Sequence, residues 1–148
     1  MFKYFQVAGG EESWKAVPAS QLQQVIDTQT PMFVTALAVN KLAEDLTPEQ
    51  RDKLAYEGPL YIDWDGPDID LVLPKVHAVM DKLVEMKLDL SMVSFYATGA
   101  KGFHLEIPAA CFMEKFPKGG TPNLPVVYKE MVFGLYVDTI AMRVYSQG

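Results

Sequence analysis

Apolar positions along the chain recur at two different spacings, and the alternation between them predicts a mixed α/β or α+β protein. Leu22, Val25 and Ile26 follow Pro18-Ala19-Ser20, the pattern of a short amphipathic helix with Ser20 as its cap. Met32 to Val39 is an apolar run suited to a buried strand. Thr47-Pro48-Glu49-Gln50 combines a cap residue, a proline at the first helical position and a glutamine three residues on, which predicts a helix reaching Tyr56. Gly58-Pro59 breaks the chain, and Leu60-Tyr61-Ile62-Asp63-Trp64-Asp65 reads as a strand. Leu73, Val76, Val79, Met80 and Leu83 return to helical spacing, with Pro74 confining the start of that helix to around Asp70 to Leu73. Leu90 to Tyr96 and Phe103 to Ile107 are predicted strands on either side of a glycine-containing loop. Pro108 to Phe116 and Asn123 to Tyr136 read as helices separated by the loop Lys118-Gly119-Gly120-Thr121-Pro122, and Ile140 to Tyr145 as a last strand.

Composition narrows the class. At 148 residues, with no repeat or linker-like stretch, residues 1–148 are expected to form one domain. The chain is 49% hydrophobic and 22% charged, which excludes a disordered tail. Its apolar runs are too short to span a bilayer, and Met1-Phe2-Lys3-Tyr4-Phe5-Gln6 lacks the apolar core of a secretory signal. The single cysteine, Cys111, excludes an internal disulfide, so a cytoplasmic protein without a membrane partner is expected. Nineteen acids against 13 Lys plus Arg give a net charge of −6, and a chain so acidic should not grip DNA tightly, because that affinity comes mostly from phosphate neutralisation by cations.

Two groups of residues carry candidate chemistry. Asp63 and Asp65, two apart on a strand, project to the same face at the end of an apolar run. Two acids so placed repel each other unless a cation sits between them, and their hard oxygens suit magnesium or manganese. The spacing alone leaves a second reading open, an acidic turn in which Asp63, Asp65, Asp68 and Asp70 precede a helix N-terminus. Further along, Thr98-Gly99-Ala100-Lys101-Gly102-Phe103-His104 offers a hydroxyl, two glycines that permit close backbone approach, a lysine and a histidine. These are the parts of a phosphate cradle, or of a glycine-rich hairpin with Lys101 solvated and His104 half-buried. Glu106 shares a strand face with His104, placed to orient it or to act as a surface partner. His77 reads as a surface or boundary histidine, Trp64 as core, Cys111 as an inert buried thiol and the eight methionines as core filler. Phe2, Tyr4 and Phe5 form an aromatic start that covers the core or self-associates.

Taken together, a strand ending Asp-x-Asp, a helix, a strand and then Thr-Gly-x-Lys-Gly-Phe-His-x-x-Ile resemble the catalytic core of the archaeo-eukaryotic primase superfamily, the primase–polymerases of phages, plasmids and mobile elements. Tyr61-Ile62-Asp63-Trp64-Asp65 matches the family's metal-binding strand. Thr98 to His104 matches its second motif, with Thr98 where serine is usual, and the similarity runs over residues 58 to 148. The resemblance implies a two-part fold with an RRM-like portion. It also implies Mg2+ or Mn2+ on Asp63 and Asp65, and the triphosphate of an incoming nucleotide on His104, Lys101 and Thr98 beside Gly99 and Gly102.

The third motif departs from the family pattern. Val144-Tyr145 is present, but the aspartate expected four residues before Tyr145 falls at Ala141, and Asp138 would face the opposite side of a strand. The sequence stops at Gly148, ahead of the family's arginine-rich stretch, which reads as the N-terminal portion of a longer core or a curtailed relative. The expected function is therefore template-directed nucleotidyl transfer by a DNA primase–polymerase core in replication. Nucleoside triphosphates and a weakly held single-stranded DNA template are its partners, with a replicative helicase in a full-length protein. Ala141 keeps open an inactive form, and the alternative is a catalytically silent nucleotide-binding or protein-interaction module. A sugar-nucleotide transferase using Asp-x-Asp leaves the Lys-Gly-Phe-His loop unexplained.

Overall fold

The computed structural model describes residues 1–7, 14–99 and 102–135. In chain order the elements are β1 (Phe2–Gln6), β2 (Lys15–Pro18), α1 (Leu22–Gln29), β3 (Phe33–Val34), β4 (Ala38–Val39), α2 (Pro48–Arg51), β5 (Ala55–Glu57), β6 (Leu60–Asp65), α3 (Ile69–Glu85), β7 (Ser94–Ala97), β8 (Gly102–Ile107), β9 (Thr121–Pro122) and α4 (Leu124–Leu135). This is a mixed α/β chain with antiparallel sheets, divided into two compact units. Among the described residues no helix is long and apolar enough to cross a membrane.

The first unit comprises Met1–Gly58 and Phe116–Leu124. Its sheet runs in the order β2-β1-β4-β5-β9, with β3 also pairing to β1. Phe5, Val17 and Val25 bury a small core, packed by Val7, Leu22 and Val34. The aromatic start therefore divides its work. Phe5 enters the core, whereas the Tyr4 hydroxyl accepts from the Ala43 amide at 2.9 Å and reaches Glu44 Oε2 at 3.3 Å.

The second unit comprises Pro59–Lys115 and, among the described residues, Pro125 to Leu135. Its three strands lie in the order β6-β8-β7, both pairings antiparallel. Strict alternation sends Leu60, Ile62 and Trp64 to one face of β6 and Leu105 and Ile107 to the same face of β8, all buried. That face packs on α3, whose buried Val72, Val76, Val79 and Leu83 recur every three or four residues. Asp68 starts the helix by accepting the Asp70 amide at 3.0 Å, which satisfies one of the orphan N–H groups at its end. In α4, Leu124, Tyr128, Val132 and Leu135 are buried. Burial pushes the Tyr128 phenol up to about 12, so the folded chain favours its neutral form. Its contribution to stability is complete below the ordinary tyrosine pKa of about 10 and is lost as pH rises from about 10 to 12. Tyr128→Phe should accordingly flatten the fall of melting temperature over that alkaline range.

Several elements differ from expectation for local reasons. Ser20 is not a cap: Ala19–Gln21 form a 3-10 turn, and α1 begins after Gln21 without a side-chain cap bond. The run Met32 to Val39 splits into two short strands, with Met32 and Phe33 exposed and Ala38 and Val39 buried. The helix from Thr47 stops at Arg51 although the Gln50 side chain caps it at 3.0 Å, because Ala55 and Tyr56 are claimed by pairing to β9 and Tyr56 also to β4. Capping starts a helix but does not set its length. α3 begins at Ile69, so Pro74 lies beyond its first turn, where the missing N–H leaves the Asp70 carbonyl without its i+4 donor. Leu90–Met92 is a 3-10 turn ahead of β7, and Pro108 to Phe116 holds only the 3-10 turn Ala109–Cys111. Thr121 and Pro122, expected in a loop, pair with β5. The strand expected at Ile140 to Tyr145, with Asp138 and Ala141, lies outside the described residues.

Candidate functional site

The outer face of the β6-β8-β7 sheet gathers the sequence candidates. Side chains directly opposite each other in antiparallel strands share a face, and the register aligns them in rows. Tyr61, Glu106 and Ser94 form one row, Asp63, His104 and Tyr96 the next, and Asp65 faces Gly102. Asp63 and Asp65 project together because Ile62 and Trp64 between and before them are anchored in the core behind. A one-residue slip of β6 would turn the carboxylates inward, so the apolar face fixes the direction of the acidic one.

Asp63 Oδ1 stands 3.0 Å from His104 Nε2, both side chains partly open to solvent at 26% and 35%. The carboxylate placed against His104 is therefore Asp63, directly across the strand pair, whereas Glu106 faces Tyr61. The Tyr61 ring meets the imidazole edge-on, with centroids 5.1 Å apart and planes at 63°. Burial, and after it the nearby Asp63 and Glu106 carboxylates, hold the Tyr61 phenol well above the ordinary tyrosine range, so it is neutral at physiological pH. His104 is thus held from one side by an acid and from another by an aromatic edge.

The hairpin from Thr98 to Gly102 closes on itself. The Thr98 amide donates to the Gly102 carbonyl at 3.0 Å. The Thr98 hydroxyl donates to that carbonyl at 3.1 Å and accepts the Gly102 amide at 3.1 Å. Thr98 fastens the loop, and its hydroxyl proton is already engaged. Gly99 has φ +79° with open space where a side chain would go, so glycine is needed there for backbone shape rather than for close approach. Lys101, with Ala100, lies outside the described residues.

Gly102 is different. A Cβ there would overlap the Trp64 carbonyl oxygen and stand 2.9 Å from Asp65 Oδ1. Glycine lets β8 lie close under the acid-bearing end of β6. Gly102→Ala must push that end of the ladder apart, with an expected cost of about 1–3 kcal/mol, measurable by urea denaturation. An unchanged midpoint would show that the strands do not approach there as closely as described.

Among the described residues no group of three or more His, Cys, Asp or Glu is assembled to hold a metal. What the face does provide is two carboxylates one register step apart, with an imidazole beside the first. That donor set suits a hard cation that keeps waters and draws its remaining ligands from substrate phosphates, as magnesium does, rather than one caged by protein alone. Elsewhere, His77 is exposed on α3. The half-buried Cys111 thiol is raised above its ordinary pKa by desolvation and then by Asp89, which disfavours a nucleophilic thiolate.

Tyr61 and Tyr96 were not singled out by sequence reasoning. Period two from Asp63 points back to Tyr61, but nothing in the sequence pairs Tyr96 with His104 before the register is known. Compared with models of known families, with curated proteins and with solved structures, the chain gives no match.

Proposed function

We propose that this chain is a metal-dependent nucleotidyl-transfer core of the primase–polymerase kind, taking nucleoside triphosphates as substrate. The observation that carries the reading is the pairing of Asp63 with His104 across β6 and β8, with Asp65 on the same face. Those residues belong to the two sequence motifs whose order prompted the resemblance. The path β6-α3-β7-β8, with spatial order β6-β8-β7, supports it too, since it is the leading part of the split β-α-β arrangement found in RRM-like units.

In this reading Asp63 and Asp65 hold magnesium or manganese together with the substrate's phosphates. A bound cation would lower the pKa of an attacking 3′-hydroxyl and neutralise the negative charge that develops on the α-phosphate oxygens and on the departing pyrophosphate. His104 offers an N–H to a phosphate oxygen, kept in place by Asp63 and by the edge of Tyr61. Lys101, three residues before His104 in the sequence, is assigned to the same triphosphate by the resemblance. Single-stranded DNA is the template partner and is held weakly, as the net charge of −6 requires. A cytoplasmic setting and a helicase partner belong to the same proposal.

Ala141 favours a second reading, a nucleotide-binding module without turnover, because the resemblance places the third acid at that position. Metal-dependent incorporation on a primed single-stranded template separates the two. Extension by the native chain, lost in Asp63→Ala, supports the enzyme. Binding of triphosphate without extension, with extension gained in Ala141→Asp, supports the silent module. Absence of both binding and extension would remove the nucleotide reading altogether.

A further inference from the structure

The row that contains Asp63 and His104 continues onto β7. Tyr96 is directly opposite His104 and so projects to the same outer face. Half of its surface is exposed, at 50%. Among the described residues its hydroxyl has no hydrogen-bond partner and its ring no aromatic neighbour. Tyr61, on the other side of His104, is already packed edge-on against the imidazole and partly buried. The two tyrosines flanking His104 therefore differ: one packs against the imidazole, and the other, among the described residues, keeps an unoccupied ring.

Neighbouring strands stand about 4.8 Å apart, so the row from Asp63 through His104 to Tyr96 spans about 10 Å. One end is anionic and suited to a cation with phosphates. The middle carries an N–H donor. The far end is a flat, half-exposed ring two residues before the Thr98–Gly102 hairpin. That is the polarity of a nucleotide laid across the strands, phosphates toward β6 and base toward β7. Resting on the functional reading above, we propose that Tyr96 is the platform on which the base of the bound nucleotide stacks. A ring face takes any base, so the contact adds affinity for nucleotides over bare phosphates without selecting sequence.

The test compares two ligands, each titrated with manganese into the full chain: ATP, and inorganic tripolyphosphate, which has the phosphates but no base. Tyr96→Ala should weaken ATP about tenfold, the scale of one base–aromatic contact, and leave tripolyphosphate within about twofold. Tyr96→Phe should bind ATP like the native chain, since the ring and not the hydroxyl carries the contact. His104→Ala should weaken both ligands. Native ATP affinity in Tyr96→Ala, or equal loss of both ligands there, overturns the role of Tyr96 while His104→Ala still upholds the phosphate site. A native chain that binds neither ligand overturns the site reading and the platform together. Because the Tyr96 side chain is half-exposed, its variants should melt close to the native temperature, and binding differences then report the site and not the fold.

Discussion

Replacing Asp63 by asparagine should lower manganese-dependent affinity for a nucleoside triphosphate about a hundredfold while leaving the fold intact. The side chain is partly exposed and borders both His104 and, one step along the strand, Asp65. Asparagine removes the carboxylate charge that faces His104, a partly exposed contact of small worth to the fold, and it also relieves repulsion from Asp65. These two effects oppose each other, so the net stability change should stay within about 0.5 kcal/mol. Large loss of binding with little change in melting temperature is the signature of a functional carboxylate. Loss of both together would instead mark Asp63 as structural, and unchanged binding would place the metal elsewhere. The measurement pairs a calorimetric titration with a melt of the same protein.

The second large effect lies behind the first. Trp64 sits between the two aspartates and points the other way, fully buried on the α3 side of the sheet. Trp64→Ala should cost about 3–5 kcal/mol, the loss of a large buried aromatic plus the cavity it leaves. A small unit has only about 5–15 kcal/mol in total, so most of the margin disappears. Among the described residues the indole Nε1 is buried without a hydrogen-bond partner. Trp64→Phe removes that unsatisfied donor while keeping a ring, so it should cost clearly less than alanine. Urea denaturation followed by circular dichroism would rank the three proteins. An alanine variant as stable as the native chain would contradict the burial of Trp64 and, with it, the outward direction of both acids.

The part of the site that lies along one strand was legible in the sequence. Period two sends Asp63 and Asp65 to one face and Trp64 to the other, and β6 runs over Leu60–Asp65 as the apolar pattern implies. What lies between strands was not legible. No sequence pattern states that Asp63 opposes His104 or that Tyr96 continues the row, because register is set by hydrophobic faces meeting in three dimensions. Glu106 illustrates the limit. It shares the face of His104, yet pairing gives it to Tyr61 and gives His104 to Asp63. Thr98 illustrates another: a hydroxyl in a glycine loop looks available until the backbone closes and takes it. Helix ends failed where tertiary pairing outweighed local signals, as at Tyr56, which lies in a strand although the capped helix ahead of it ends only at Arg51. The first unit was the least readable, since its strands are mostly two to five residues long and too short to show a period.

The central claim is that the outer face of β6 and β8 holds a divalent cation and the phosphates of a nucleotide. A crystal grown with manganese and a non-hydrolysable nucleoside triphosphate tests it most directly through the anomalous scattering of the metal. The account predicts a manganese peak in coordinating contact with the carboxylates of Asp63 and Asp65, a phosphate oxygen within hydrogen-bond distance of His104, and the base over Tyr96. Metal and nucleotide bound elsewhere, for instance in the surface cleft lined by Phe2, Asn40, Lys41 and Leu42, with the Asp63–His104 pair undisturbed, would contradict it.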